Sequence, residues 1–263
     1  TRYSIQRSQR DQQSANRTFT NAVYLAALFA VLFVSIGVFF SGTIVTLFGA
    51  DEHVYAMSKT YLQVILLFAP AFLMNNVLLC FVRNDGAPQL SMAAMIGGSL
   101  SNVVLDWVFI FPCQMGIFGA AFATGLAPII SMMILSPHFI RKNNQFHFAK
   151  CMPEIRRFVR ILSSGVPSLV TEVSSGIVII VFNSILLNLA GNVGVAAYGV
   201  IANLSLVIIA IYTGIAQGIQ PIISSNYGAK NTRNIKLILK YAMTTMLILS
   251  VLIYVTVFLG ASQ

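Results

Sequence analysis

Charge is scarce in this chain. Only 9% of its 263 residues are charged while 57% are hydrophobic, against about 25% charged in an ordinary soluble domain. Mean hydropathy is +0.82. A soluble globular domain is excluded, and successive apolar runs of about 20 residues or more suit bilayer-crossing helices. The runs are aliphatic and do not alternate with polar residues, which excludes a transmembrane β-barrel. Cysteine is equally sparse: Cys80, Cys113 and Cys151 fall in a span, an outer turn and a cytoplasmic loop, so no disulfide framework is indicated. His138 and His147 have no cysteine at metal-ligand spacing. No histidine, and no nucleophile–base pair, falls within the spans as read from the sequence, which argues against an intramembrane enzyme. No ring of charges or re-entrant filter of the kind a channel needs is visible.

What is present is an all-α, polytopic membrane pattern of about seven spans. They run from Phe19 to Gly49, Tyr55 to Val82, Gln89 to Phe111, Gly116 to Leu135, Ile155 to Leu189, Val195 to Ile223 and Ile235 to Leu259. Residues 1–18 read as a cytoplasmic loop, and Asp51-Glu52 mark the outer end of the first span. Arg83-Asn-Asp-Gly-Ala-Pro88 is a strong turn signal, Pro112 to Met115 a tight outer turn, and Gly191 to Gly194 a short outer loop. Gly165 and Pro167 predict a kink or a broken start in the fifth span. The net charge of +9 comes from basic residues that all lie on one side of these spans, Lys59 excepted. That is the positive-inside pattern, and it makes the N-terminal loop cytoplasmic. It reports topology in a cell membrane, a bacterial inner membrane by this reading, and speaks against a nucleic-acid partner.

Thr1 is not a start residue, and the chain ends directly after a span, so it reads as an internal piece of something larger. Three parts are expected: 1–136, a loop and four spans; 137–157, a cytoplasmic linker; and 158–263, three further spans. The stretch at Thr1-Arg-Tyr3 before the first span echoes Ser225-Asn-Tyr227 before the last, at an offset of about 224 residues, as in transporters built from parallel repeats.

Of seven acidic residues, only Asp106 and Glu172 lie inside spans. An ionisable group at depth costs roughly 2.5–3.5 kcal/mol on insertion scales and is a functional-site hypothesis by default. From the outer ends of their helices, Asp106 lies about 8 Å deep, Asn102 about 14 Å and Thr124 about 12 Å, at a rise of about 1.5 Å per residue. A carboxylate, an amide and a hydroxyl therefore converge. Such oxygen ligands suit a hard cation such as Na⁺, and the carboxylate alone suffices for a proton. The same groups would also serve simply to bond two helices together. Glu172 shares a helical face with Ser168, Ser175, Gly176 and Asn183. That polar stripe suits a water-filled cavity, as proton acceptor or cation-binding surface, or a helix–helix contact through small residues. Asn203, Thr213, Gln217 and Gln220 mark the sixth span, with Gly214, Gly218 and Pro221 suited to close packing or a gate. Ten Met and 19 Phe fit a promiscuous apolar cavity or a lipid-facing surface, and Trp107 fits an interfacial anchor.

The order Arg83-Asn-Asp-Gly-Ala-Pro88, then Asn102-x-x-x-Asp106-Trp-Val-Phe-Ile-Phe, then Gly116-Ile-Phe-Gly-Ala-Ala-Phe-Ala-Thr124 resembles the multidrug and toxic compound extrusion (MATE) transporters. The resemblance continues through Gly165-Val-Pro-Ser-Leu-Val-Thr-Glu172, Ala196-Ala-Tyr-Gly199, Gln217-Gly-Ile-Gln-Pro221 and Ser225-Asn-Tyr-Gly-Ala-Lys230. It implies seven spans of a twelve-helix, two-lobe exporter that exchanges Na⁺ or H⁺ for organic, mostly cationic, drugs by alternating access, monomeric when full length and without a cofactor. It further implies that Asn102, Asp106 and Thr124 form the first-lobe cation site, and that Glu172, with Ser168, Asn183 and Gln217, serves substrate or proton. The family's remaining first-lobe carboxylate lies on a helix that precedes this chain. A lipid- or polysaccharide-linked flippase of similar architecture is the alternative; its cavity calls for basic residues deep in the spans, and none is there.

Overall fold

The computed structural model describes residues 2–48, 52–151 and 154–260, all helix and short connections. Asp51 and Gly49 lie outside the described residues. In a bilayer core no water is available to backbone groups, so each apolar run satisfies its own N–H and C=O groups by coiling. The helices are α1 (Arg2–Ser8), α2 (Gln12–Phe39), α3 (Ser41–Leu47), α4 (Glu52–Leu67), α5 (Ala69–Asn84), α6 (Pro88–Ile110), α7 (Gly116–Ile140), α8 (Ile155–Gly228) and α9 (Thr232–Gly260). Among the described residues six helical stretches are long and apolar enough to cross a membrane, and the α4–α5 pair makes a seventh if it is one bent span. The chain forms two compact units, residues 2–158 and the described residues from 159 on.

Several local expectations change. The described residues 2–18 are not a loop: α1 is helical, and α2 begins at Gln12 because Asp11 caps it, its Oδ1 accepting from the Ser14 N–H at 3.0 Å. The second span breaks at Phe68, bending by 46° where Pro70 starts α5. A proline cannot donate to the preceding turn and displaces the helix before it. In the fifth span the torsions stay helical through Gly165 and Pro167, in place of the expected kink or broken start. Loss of one backbone bond does not end a helix embedded in apolar sequence. The break within α8 falls at Gly191, at the start of the short loop expected there, and its φ of 61° suits a residue without a side chain. It separates the stretches Phe158–Leu186 and Ala197–Gly228. Finally, α7 continues through Pro137 to Ile140, so His138 sits in a helical last turn rather than in a polar segment.

The internal echo is present in the backbone, shifted by about one helical turn from the tyrosine match. Arg10 (φ 60°) and Lys230 (φ 57°) both close a helix in the left-handed region. The next residues, Asp11 and Asn231, donate back to Gln6 O and Asn226 O, each at 2.9 Å, and then cap α2 and α9.

The core of the first unit lies toward one end of its helices. Tyr3, Phe19, Val23, Leu79, Val82, Ala94, Leu135 and Phe146 are buried together, with Phe81 and Phe139 packed against them. Phe19, Phe81 and Phe146 meet in edge-to-face and tilted contacts at 4.7–5.5 Å between ring centroids. Each fully buried apolar side chain contributes roughly 1.5–3 kcal/mol.

Candidate functional site

The residues upward from the α6–α7 hairpin define the site. Its turn is closed by Cys113 N–H donating to Val108 O at 3.1 Å and Met115 N–H to Phe109 O at 2.9 Å. Gly116 (φ 57°) then starts α7 antiparallel to α6. Small residues let the two backbones approach: a Cβ on Gly98 would lie 3.1 Å from Ser131 Cβ and 3.2 Å from Ala127 O. At this separation the Asn102 Nδ2 donates to Thr124 Oγ1 at 3.4 Å, while the Thr124 hydroxyl donates to Ala120 O at 2.9 Å. The neighbouring Gly125 packs against the Phe68 ring at the bend of the second span, and Phe68 meets Phe122 at 5.7 Å. The bend therefore braces the stretch of α7 that carries Thr124.

Asp106 lies one turn nearer the C-terminal end of α6 than Asn102, and its Oδ1 is buried with no hydrogen-bond partner. A buried acceptor left unmet costs about 1–3 kcal/mol, more when charged. Binding a proton or a cation there removes that cost. Asn102, Asp106 and Thr124 offer oxygen atoms only, a donor set that fits Na⁺ as well as H⁺. The three residues are thus placed on adjacent helices, two of them bonded, and the carboxylate is left available.

The residues of the second unit are placed differently. Ser168 and Glu172 lie exposed on the first stretch of α8 and Asn183 is half-buried there; Gln217 is half-buried on the second stretch. Among the described residues no side-chain bond joins Ser168, Glu172 and Asn183. Neighbouring hydroxyls turn inward on their own helix, Thr171 to Pro167 O at 2.9 Å and Ser175 to Thr171 O at 3.0 Å.

A third acidic centre was not visible as one in the sequence. Asp85, read as a turn residue, is the hub of a buried network at the other end of α6. Its Oδ1 accepts from Tyr3 Oη at 2.5 Å and from the Arg7 guanidinium at 2.9 Å. Its Oδ2 meets His138 Nε2 and the backbone N–H of Gln145, both at 2.9 Å. Burial and the bond to Asp85 together push the Tyr3 phenol well above its ordinary range. Gly86 (φ 98°) makes the turn that lets Pro88 start α6 directly afterwards. The only sequence signal for this hub was an acidic residue in a turn whose partners lie far along the chain. Among the described residues no group of three His, Cys, Asp or Glu gathers as a metal site.

A helical bundle of membrane spans with a carboxylate oxygen buried and unpartnered among the described residues is the class of protein this fold and site define. The MatE family model matches residues 2–108 and 166–263, and the chain belongs to that family, whose members are membrane transporters and not enzymes. It is 26% identical over 244 residues to the multidrug export protein MepA of Staphylococcus saprophyticus, covering 92% of this chain and 54% of MepA. Among solved structures it is similar to the outward-facing conformation of a multidrug resistance MATE family transporter of the MOP superfamily. That match has a TM-score of 0.87 and 25% identity over 99% of this chain and 58% of the other. It is also similar to a MOP superfamily transporter from Pyrococcus furiosus, with a TM-score of 0.84 and 26% identity over 98% of this chain and 58% of the other. That structure is described as having a binding pocket of reversed polarity that suggests a different function. The chain spans about half the length of the curated relatives it matches.

Proposed function

We propose that the protein carrying this chain is a secondary multidrug exporter of the cell membrane. It moves organic, mostly cationic, compounds outward in exchange for Na⁺ or H⁺ by alternating access of two lobes. The observation that carries this reading is the buried Asp106 Oδ1, unpartnered beside the Asn102–Thr124 pair. An inward-moving cation neutralises the carboxylate there, and its departure restores an unmet charge, so the two states of the site differ in free energy and ion binding biases the conformational equilibrium. Similarity to MepA supports the choice of cargo. Residues 1–136 belong to one lobe and 158–263 to the other in this reading, with Ser168, Glu172, Asn183 and Gln217 on the substrate or proton surface. The bilayer is the remaining partner, the positive-inside charge pattern puts the N-terminal segment in the cytoplasm, and the transporter works as a monomer.

A flippase for lipid- or polysaccharide-linked cargo is the second reading, since pocket polarity is what sets the Pyrococcus furiosus transporter apart. The ionisable groups deep in the spans of this chain are Asp106 and Glu172, both acidic. That polarity favours cationic cargo over phosphate-bearing cargo. The test is efflux of a fluorescent organic cation from liposomes containing the full-length protein, driven separately by a Na⁺ and a pH gradient. One gradient drives efflux in the wild type, and Asp106→Asn abolishes it with folding intact. Unchanged efflux in the variant makes Asp106 a helix-bonding residue and moves coupling to Glu172. A wild type that responds to neither gradient supports the flippase.

A further inference from the structure

Residues 143–150 run without helix along α2, and they are held in a regular way. The backbone N–H of Gln145 donates to Asp85 Oδ2 at 2.9 Å, that of His147 to Asn16 Oδ1 at 3.1 Å, and that of Ala149 to Thr20 Oγ1 at 2.9 Å. Glu154 N–H follows to Asn21 Oδ1 at 3.3 Å, and Asn21 Nδ2 lies 3.8 Å from Cys151 Sγ. The Gln12 side chain donates to the Gln145 carbonyl. The spacing has a physical basis. An extended chain repeats every second residue, about 6.6 Å, and a helix presents equivalent positions every fourth residue, about 6 Å. Asn16 and Thr20 are therefore in step with His147 and Ala149. Between these anchors Phe146 turns the other way, 1% exposed, into the rings of Phe19, Phe81 and Phe139.

Three of the receiving side chains are themselves buried: Thr20 is 1% exposed, Asn21 0% and Asp85 5%. Lifting the segment would put Phe146 into water and take partners from three interior polar groups at once. A flexible connector has no use for such a seat.

We propose that residues 143–151 are a strap docked permanently on the first unit, so that the strap, the described helices before it and the Glu154 anchor move as one body during transport and any bending of the chain falls beyond Glu154. This rests on the transport reading given above. Asp85 is the fastening: it joins the strap to α1 through Tyr3 and Arg7, and to the end of α7 through His138.

Two measurements on the full-length protein test it. In the first, every cysteine except Cys151 is replaced by serine and Asn21→Cys is added, so that oxidation ties strap to α2. Oxidised and reduced protein then export a fluorescent organic cation at rates within about twofold, because the tie adds nothing to a contact that never opens. A loss on the order of tenfold or more on oxidation, reversed by reduction, overturns the proposal. The second measurement needs no transport and so separates failure of the strap from failure of the transport reading. Amide exchange at Gln145, His147 and Ala149 stays slow with and without Na⁺, acid pH or the organic cation, and Asp85→Asn speeds it by on the order of tenfold or more. Fast exchange at these amides in the wild type, or under any one of those conditions, overturns the proposal.

Discussion

Two carboxylates stand at opposite ends of α6 and live under opposite rules. Asp85, just before the helix, is fully enclosed and takes four donors: a phenol, a guanidinium, an imidazole and a peptide N–H. Asp106, near its C-terminal end, has a buried oxygen that takes none. A satisfied buried charge fixes the segments that satisfy it, and losing it is costly because its partners are left uncompensated. An unsatisfied one holds nothing in place and lowers its free energy only by acquiring an ion or a proton. The difference teaches that two acids at opposite ends of one helix can be told apart by the state of their hydrogen bonds, and it is that state which singles out Asp106 in the proposed reading. Leu79, Val82, Ala94 and Leu135 belong to the buried apolar cluster that also holds Tyr3 and Phe146 at the Asp85 end.

The comparison is broken most directly by removing each acid in turn. Asp85→Ala strands Arg7, Tyr3 and His138 in the interior and costs about 3–5 kcal/mol, seen as early thermal unfolding of the purified protein. Asp106→Asn relieves an unmet charge and stays within about 1 kcal/mol of the wild type. An Asp106 variant that unfolds as readily as the Asp85 variant would erase the distinction. Phe146→Ala tests the aromatic seat beside the hub and costs about 3 kcal/mol in the same assay. Asn16→Ala removes one acceptor for the His147 N–H and costs about 1 kcal/mol. The smallest effect is a pH slope. Because the Tyr3 phenol is raised in the folded protein, its contribution is fully present below about pH 10, the ordinary tyrosine range, and is lost as pH rises above it. Stability measured from neutral to alkaline pH falls in the wild type above that point, and Tyr3→Phe flattens the fall.

Much of the scaffold could be read from the chain alone, because apolar length fixes spans and Pro-Gly-Asn clusters fix turns. Counting residues inward from the Pro112–Met115 turn was enough to bring Asn102 level with Thr124, since both helices rise at one rate from a shared end. What escaped depends on distant partners. Phe68 bends its span because Pro70 follows it, a local signal that the apolar run concealed. Asp85 looked like a turn residue because its partners, Tyr3, Arg7, His138 and Gln145, come from three other segments of the chain. The strap escaped as well: nothing in the sequence separates Phe146, 1% exposed, from Phe148 two residues on, 68% exposed.

The most direct test of this account is equilibrium binding of Na⁺ and H⁺ to the full-length protein, comparing wild type, Asp106→Asn and folded Asp85→Asn. The account predicts that Asp106→Asn loses one bound cation while Asp85→Asn keeps it. Retention in the Asp106 variant, or loss in a folded Asp85 variant, would contradict it.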